Sequence, residues 1–226
     1  MIKSIYLAKR NPNTTYEEFM ENWRQHAVLS GSFPDVGKYF DGVVQCKRIQ
    51  DLEIPGLSTE YDGANILTLT SLLGAVEVHD QEGIETLRKD EKRVFADYVI
   101  DTSMTVHETV VQDKPIGQFV LVEFARRNEG VTPQEFVKSW SGAYGRALVA
   151  SEPFEKYVGR YVHNHVVLPS PPGYEFDGIS ETWFENLDDA KAFIEQSQGV
   201  RAEPTLFDVP IRTLLEINHA WFRRKK

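Results

Sequence analysis

Histidine is the side chain whose charge changes near neutral pH, so the six imidazoles of this chain are its first candidates for proton chemistry. His26 follows Phe19 and Trp23 on one helical stripe, the face that should meet the core. The ordinary reading of such a residue is a buried histidine bonded to a backbone carbonyl. The functional reading is a general base or acid. His163 and His165 flank Asn164, so both rings share one strand face and Asn164 takes the other. If the histidine face meets the helices, the pair lines a pocket; if it faces away from them, Asn164 enters the pocket instead. His107 precedes Glu108, and one of the two must face the helices; His219 and Glu216 present the same choice. His79 lies in a polar segment and is expected at the surface. Two histidines at i and i+2 could hold a metal, but no neighbouring carboxylate or thiol completes the three or four ligands zinc needs. No metal is expected.

Other residue types add to this set. Asp62 and Asp177 are each followed by glycine, a pair that favours tight reversals. A turn is the plainer reading, and a carboxylate at a pocket mouth the functional one. Tyr6, Trp23, Tyr39, Tyr144, Tyr161 and Trp183 offer aromatic surface, most of it with polar tips, suited to a flat or hydrophobic ligand. No Gly-x-Gly-x-x-Gly, phosphate loop or Gly-x-Ser-x-Gly elbow is present. Cys46, the single cysteine, sits between Gln45 and Lys47 with no sign of thiolate activation. Nicotinamide, ATP and covalent serine or cysteine catalysis are disfavoured.

The elements that must position these residues occur twice. Thr15-Tyr16-Glu17-Glu18-Phe19 returns as Thr132-Pro133-Gln134-Glu135-Phe136, Trp23 as Trp140, and Tyr61-Asp62-Gly63 as Phe176-Asp177-Gly178. The reading is two lobes, 1–113 and 114–226, joined by a short turn around Lys114-Pro115. Strands are expected at Ile2–Lys9 and Gln118–Ala125, then at Lys38–Ile49 and Tyr157–Leu168. Third strands follow at Ala64–Thr70 and Ile179–Phe184, and final strands at Met104–Val111 and Arg212–Trp221. Thr15 with Glu18, and Thr132 with Glu135, form capping boxes for first helices. Second helices start after Ser71 and Asn186. Each lobe is then a ferredoxin-like βαββαβ unit of the α+β class. Two such sheets can cover each other as a barrel with helices outside.

With 34 acidic against 25 basic residues, the chain carries a formal charge of -9, so nucleic acid is an unsuitable partner. The one basic cluster is the tail, Arg223-Arg224-Lys225-Lys226. No apolar run approaches the roughly 20 residues of a membrane span, and the start lacks the features of a signal peptide. One cysteine suits a reducing compartment. A soluble cytoplasmic protein with no membrane partner is expected.

Phe19-x3-Trp23-Arg24-x-His26-Ala27, Lys38-Tyr39 and Tyr61-Asp62-Gly63 together resemble the EthD family of dimeric α+β-barrel proteins. The second lobe adds Phe136-x3-Trp140, Tyr161-Val162-His163-Asn164-His165 and Phe176-Asp177-Gly178-Ile179. The resemblance covers nearly the whole chain as two fused copies and implies an intramolecular barrel, an internal pseudo-dimer open to further pairing. It implies a small-molecule pocket in each lobe, between the sheet and its helices. The lobes differ: Ala143 aligns with His26, while Gly42 and Val43 align with Asn164 and His165.

The leading expectation is a cofactor-independent enzyme of lyase, isomerase or cyclase type, acting by acid–base chemistry on an aromatic or cyclic catabolic intermediate. His26 would move the proton, with Tyr39 or His107 orienting substrate; His165 and Asn164 would serve the second lobe, with His163 beside them. One alternative is an oxidoreductase, as a cofactor-free monooxygenase or as a haem enzyme with His163 or His165 as axial ligand. A non-catalytic small-molecule-binding accessory protein is the other.

Overall fold

The computed structural model describes residues 1–201 and 203–223; Arg224, Lys225 and Lys226 of the basic tail lie outside the described residues. The first half runs β1 (Ile2–Ala8), α1 (Tyr16–Gly31), α2 (Pro34–Gly37), β2 (Phe40–Arg48), β3 (Gly63–Leu69), α3 (Gly74–Glu77), α4 (Glu82–Val94) and β4 (Ser103–Gln112). The second runs β5 (Phe119–Arg127), α5 (Pro133–Val137), α6 (Gly145–Val149), α7 (Glu152–Tyr157), β6 (Arg160–Val166), β7 (Gly178–Phe184), α8 (Leu187–Gln196) and β8 (Phe207–Phe222). The strands close into one antiparallel barrel in the order β1-β3-β2-β8-β5-β7-β6-β4. None of the described helices is long and apolar enough to cross a membrane.

Local chemistry starts the helices where the sequence indicates. The Thr15 hydroxyl accepts from the Glu18 amide at 3.2 Å, and the Glu18 carboxylate accepts from the Thr15 amide at 2.8 Å. Thr132 and Glu135 repeat this reciprocal pair at 3.3 and 2.9 Å, with Pro133 in the first turn, where no amide donor is missed. Asn186 caps α8 by accepting from the Asp189 amide at 2.9 Å.

Three local features differ from the sequence reading. Tyr157 ends a short helix rather than starting a strand. The second helix of the first half is interrupted: Ser71 accepts from the Gly74 amide ahead of short α3, and α4 begins only at Glu82, after a 3-10 turn. Between α5 and α6, residues Lys138–Tyr144 form a π-helical turn, in which the Gly145 amide reaches back to the Trp140 carbonyl.

Strand alternation sorts side chains between the barrel interior and the helix-facing outside. Ile5, Cys46, Ile66, Met104, Phe124 and Ile179 fill the interior. At one end that interior is ionic. The Lys3 ammonium lies 2.6 Å from Glu181 Oε1 and 2.5 Å from Glu108 Oε2, all three side chains being almost wholly buried. Asn164 Nδ2 and Trp183 Nε1 each donate to the Glu181 carboxylate as well, at 2.8 and 3.1 Å. The cluster spans the β4–β6 seam, where Glu108 sits opposite Asn164.

Removing the ammonium would leave two carboxylates buried without their cation. Lys3→Met should destabilise the protein by about 3–5 kcal/mol. In a urea titration this appears as a lower midpoint at unchanged slope.

Candidate active site

A cavity of about 970 Å³ lies on the outside of the first-half strands, under α1 and α4. The barrel supplies a polar floor of Ser4, Tyr6, Gln45, Asn65, Ser103 and Thr105. These are the outward-facing members of β1 to β4, whose inward neighbours fill the core. The helices supply the roof, including Trp23 and His26 from α1 and Leu87, Arg88 and Glu91 from α4. Two further walls come from the second half of the chain: the loop Leu168–Pro172, and the end of β8 with His219 and Trp221.

His26 is buried in this roof. Its Nδ1 is 2.9 Å from Asp90 Oδ2 on α4, and its ring meets Phe95 edge-on at 5.7 Å. Asp90 also accepts from Arg93 Nε at 2.9 Å and from its NH2 group at 3.2 Å. Burial works to raise the Asp90 carboxyl, but the hydrogen bonds from Arg93 and His26 outweigh it, so the group titrates below its ordinary value. An ionised Asp90 holds a proton on His26 Nδ1, which leaves Nε2 as the basic nitrogen for the cavity. No spacing in the sequence links residue 26 to residue 90; only the packing of α1 on α4 does.

Tyr6 forms the second polar centre. Its hydroxyl accepts from Asn65 Nδ2 at 3.0 Å and from Trp23 Nε1 at 3.3 Å. With its lone pairs so engaged, its own proton is free to be donated to a ligand. Burial pushes the Tyr6 pKa up to about 12 despite these bonds, so the hydroxyl stays a donor. Asn65 Oδ1 is buried with no hydrogen-bond partner among the described residues. Gln45 is fixed by accepting from Asn218 Nδ2 at 2.7 Å. Tyr6 and Trp23 were expected at a pocket; Asn65 and Gln45 were not, because amides at alternate strand positions carry no signal of their own.

The equivalent surface of the second half is filled. His163 and His165 do face the helices, but His163 packs 4.7 Å from Trp140, and its Nε2 is 2.7 Å from the Tyr161 hydroxyl. A Cβ on Gly145 would come within 2.7 Å of the His163 ring, so α6 already touches it. Ile49, Leu52, Ile54 and Leu57 from the first-half loop pack against Leu148, Phe154, Tyr161 and Leu214 on this side. The matching loop over the first-half cavity carries Pro169, Pro171 and Pro172, which wall the space without filling it. The π-helical turn also shifts the helix stripe by one residue. Tyr144, with Ala143 before it, therefore packs against Phe207 at 5.6 Å.

Several expected site residues lie elsewhere. Asn164 faces the barrel interior, bonded to Glu181 and to the Ile179 carbonyl, so it enters no pocket. Trp183 is also interior. His107 is exposed on β4, opposite His165 across the seam. Tyr39 packs with Val36 and Val78 behind the cavity wall, without lining it. Asp62 and Asp177 clip strand ends: Asp62 accepts from the Arg10 amide at 3.0 Å and pairs with Arg48, and Asp177 accepts from the Arg127 amide at 2.9 Å. Their glycines serve packing, since a Cβ on Gly63 or Gly178 would strike the ring of Trp23 or Trp140. His79 is at the cavity rim. Among the described residues no cluster of three or more His, Cys, Asp or Glu could hold a metal. Cys46 is interior, and burial pushes its thiol far above the ordinary range.

A profile of the EthD domain matches residues 128–204. Comparison with curated proteins finds no relative of significant similarity. Among solved structures, an anthrone oxidase-like protein is 13% identical with a TM-score of 0.59, over 99% of this chain and 93% of the other. A chlorite dismutase from Candidatus Nitrospira defluvii is 13% identical with a TM-score of 0.55, over 96% and 90%. A Fusobacterium nucleatum protein provisionally named a monooxygenase is 11% identical with a TM-score of 0.51, over 98% and 93%. At these identities the likeness shows the fold, that of the dimeric α+β-barrel proteins. The names overturn the leading functional expectation. They are those of oxidoreductases, so the lyase, isomerase or cyclase reading and its catabolic setting give way to the oxidoreductase alternative.

The filled second-half site predicts a pH effect. Burial, then the neighbouring His165, lower the His163 pKa to about 3. The unfolded chain takes up that proton near pH 6.5, so stability present above pH 6.5 is lost as pH falls towards 3. The urea midpoint should therefore drop between pH 6.5 and 4. His163→Gln, which keeps a hydrogen-bonding group beside Tyr161, should make that drop shallower.

Proposed function

We propose that the first-half cavity is the active site of an oxidoreductase that oxidises a flat, electron-rich aromatic ligand with dioxygen, using His26 as base. The observation that carries this reading is the His26–Asp90 pair over a cavity whose floor presents the Tyr6 hydroxyl. A suitable substrate is an anthrone, whose methylene group is acidified by a ketone and two aromatic rings. His26 Nε2 removes a methylene proton, and Asp90 steadies the imidazolium that forms. The Tyr6 O–H donates to the developing enolate oxygen, in the manner of an oxyanion hole. The electron-rich anion reduces dioxygen and forms a C–O bond, giving a hydroperoxide after His26 returns the proton. Loss of water then leaves a carbonyl. In sum, the methylene carbon and one dioxygen become a ketone carbon and one water.

Haem suits the residues poorly. His163 has no room for a macrocycle beside it, with Trp140 4.7 Å from its ring and α6 in contact with it. In the open cavity, the hydroxyl and amide groups of the floor would lose water against a porphyrin face that offers them no hydrogen bond. A polar-edged aromatic ligand satisfies them.

We infer further that the chain is two fused copies of one βαββαβ unit, 1–113 and 114–226, paired as an internal pseudo-dimer. Support comes from the twin capping boxes, the twin Trp-on-Gly contacts and the strand order, in which β4-β1-β3-β2 is followed by β8-β5-β7-β6. In this reading one copy keeps an open site and the other has filled its own.

Two measurements test the proposal. Oxygen uptake with anthrone should fall by about 10²–10⁴-fold in His26→Ala, with the affinity for anthrone within a few-fold of the parent; unchanged uptake would remove the mechanism. Added haemin should bind without a sharpened Soret band. A saturable band lost in His26→Ala would overturn the argument against haem.

A further inference from the structure

We propose that Arg88 is a specificity residue that reads a carboxylate on the ligand, so that the site favours aromatic acids, an anthrone bearing a carboxylate among them, over their neutral analogues. The proposal rests on the reading of the first-half cavity as the ligand site. Arg88 lines that cavity from α4 and is half-buried, yet it makes no hydrogen bond or ion pair among the described residues. The other charged groups lining the cavity do not satisfy it. The Glu91 carboxylate accepts from the Val99 amide at 3.0 Å, and Asp101 is exposed at the mouth. Arg223, the second guanidinium there, is engaged by the Gly37 carbonyl at 2.9 Å and by Asp41 at 3.5 Å. His79 shares the rim with Arg88; burial and then the Arg88 charge lower its pKa, so it adds little positive charge at neutral pH. Glu91, three residues on, feels the Arg88 charge, which works against the burial that raises its carboxyl, but no hydrogen bond joins the two among the described residues. A guanidinium so placed is a planar fork of donors without acceptors, and a carboxylate matches it two atoms to two. With Tyr6 and His26 serving the reacting oxygen and carbon, Arg88 supplies a separate handle.

The probes are 6-hydroxy-2-naphthoate and its methyl ester, with binding followed by quenching of tryptophan fluorescence, since Trp23 and Trp221 line the cavity. The parent protein should bind the acid about tenfold more tightly than the ester, the scale of one charge-assisted hydrogen-bonded pair. Arg88→Gln should bring the two to parity, and Arg88→Lys should keep part of the preference. Added salt should weaken acid binding in the parent and leave ester binding unchanged. Parity in the parent, a preference that survives in Arg88→Gln, salt-insensitive acid binding, or no saturable binding of either probe would each overturn the proposal. Failure of the oxidase reading looks different: the acid preference stands while no substrate consumes oxygen.

Discussion

Closure of the barrel is the constraint on which everything else depends. A four-stranded sheet with helices on one side has one apolar face left and two open edges. Here one set of contacts answers both needs. The β2–β8 and β4–β6 ladders join the edges, and the apolar faces meet as a single interior. Once the inside is fixed, the pleat assigns every second residue to the outside. That is why Tyr6, Gln45 and Asn65 form a polar floor while Ile5, Cys46 and Ile66 are core. The Lys3–Glu108–Glu181 cluster shows the same constraint in ionic form, because its members come from both sides of the β4–β6 seam.

The two outer faces then diverge through what the opposite half lays over them. Over β5 to β8 the covering loop brings Ile49, Leu52, Ile54 and Leu57, which pack onto the face and leave a smaller cavity of about 470 Å³ beside the loop. Over β1 to β4 it brings prolines, whose rigid rings line a wall without reaching the floor. The π-helical turn adds to the asymmetry by swinging Tyr144 into the second face. The outer surface of the first half thus keeps an open cavity, with the His26–Asp90 pair on its roof and the Tyr6 hydroxyl on its floor.

Much of the frame was legible in the sequence because it depends on neighbours in the chain. Thr15 with Glu18, Thr132 with Glu135, and Asn186 announce helix starts by spacings of three, and the strand runs announce themselves by branched and aromatic residues. His26, Trp23 and Tyr6 were legible as one stripe and one strand. The partners that give them chemistry were not. Asp90 reaches His26 only through helix packing, and Asn65 reaches Tyr6 only through strand register. The choice between the His163–His165 face and Asn164 turned on which side of β6 met the helices, a property of closure. The wide turn after Trp140, which sets Tyr144 against Phe207, is a local feature that one sequence does not advertise.

The walls formed by Leu168–Pro172 and the end of β8 have a practical consequence for anyone wishing to retune the cavity. Part of its lining lies in a stretch of chain remote in sequence from His26 and Asp90. A mutational library confined to that stretch would vary the shape of the entrance while sparing His26, Asp90 and Tyr6. The filled second face would act meanwhile as ballast, keeping the barrel closed while the entrance is rebuilt.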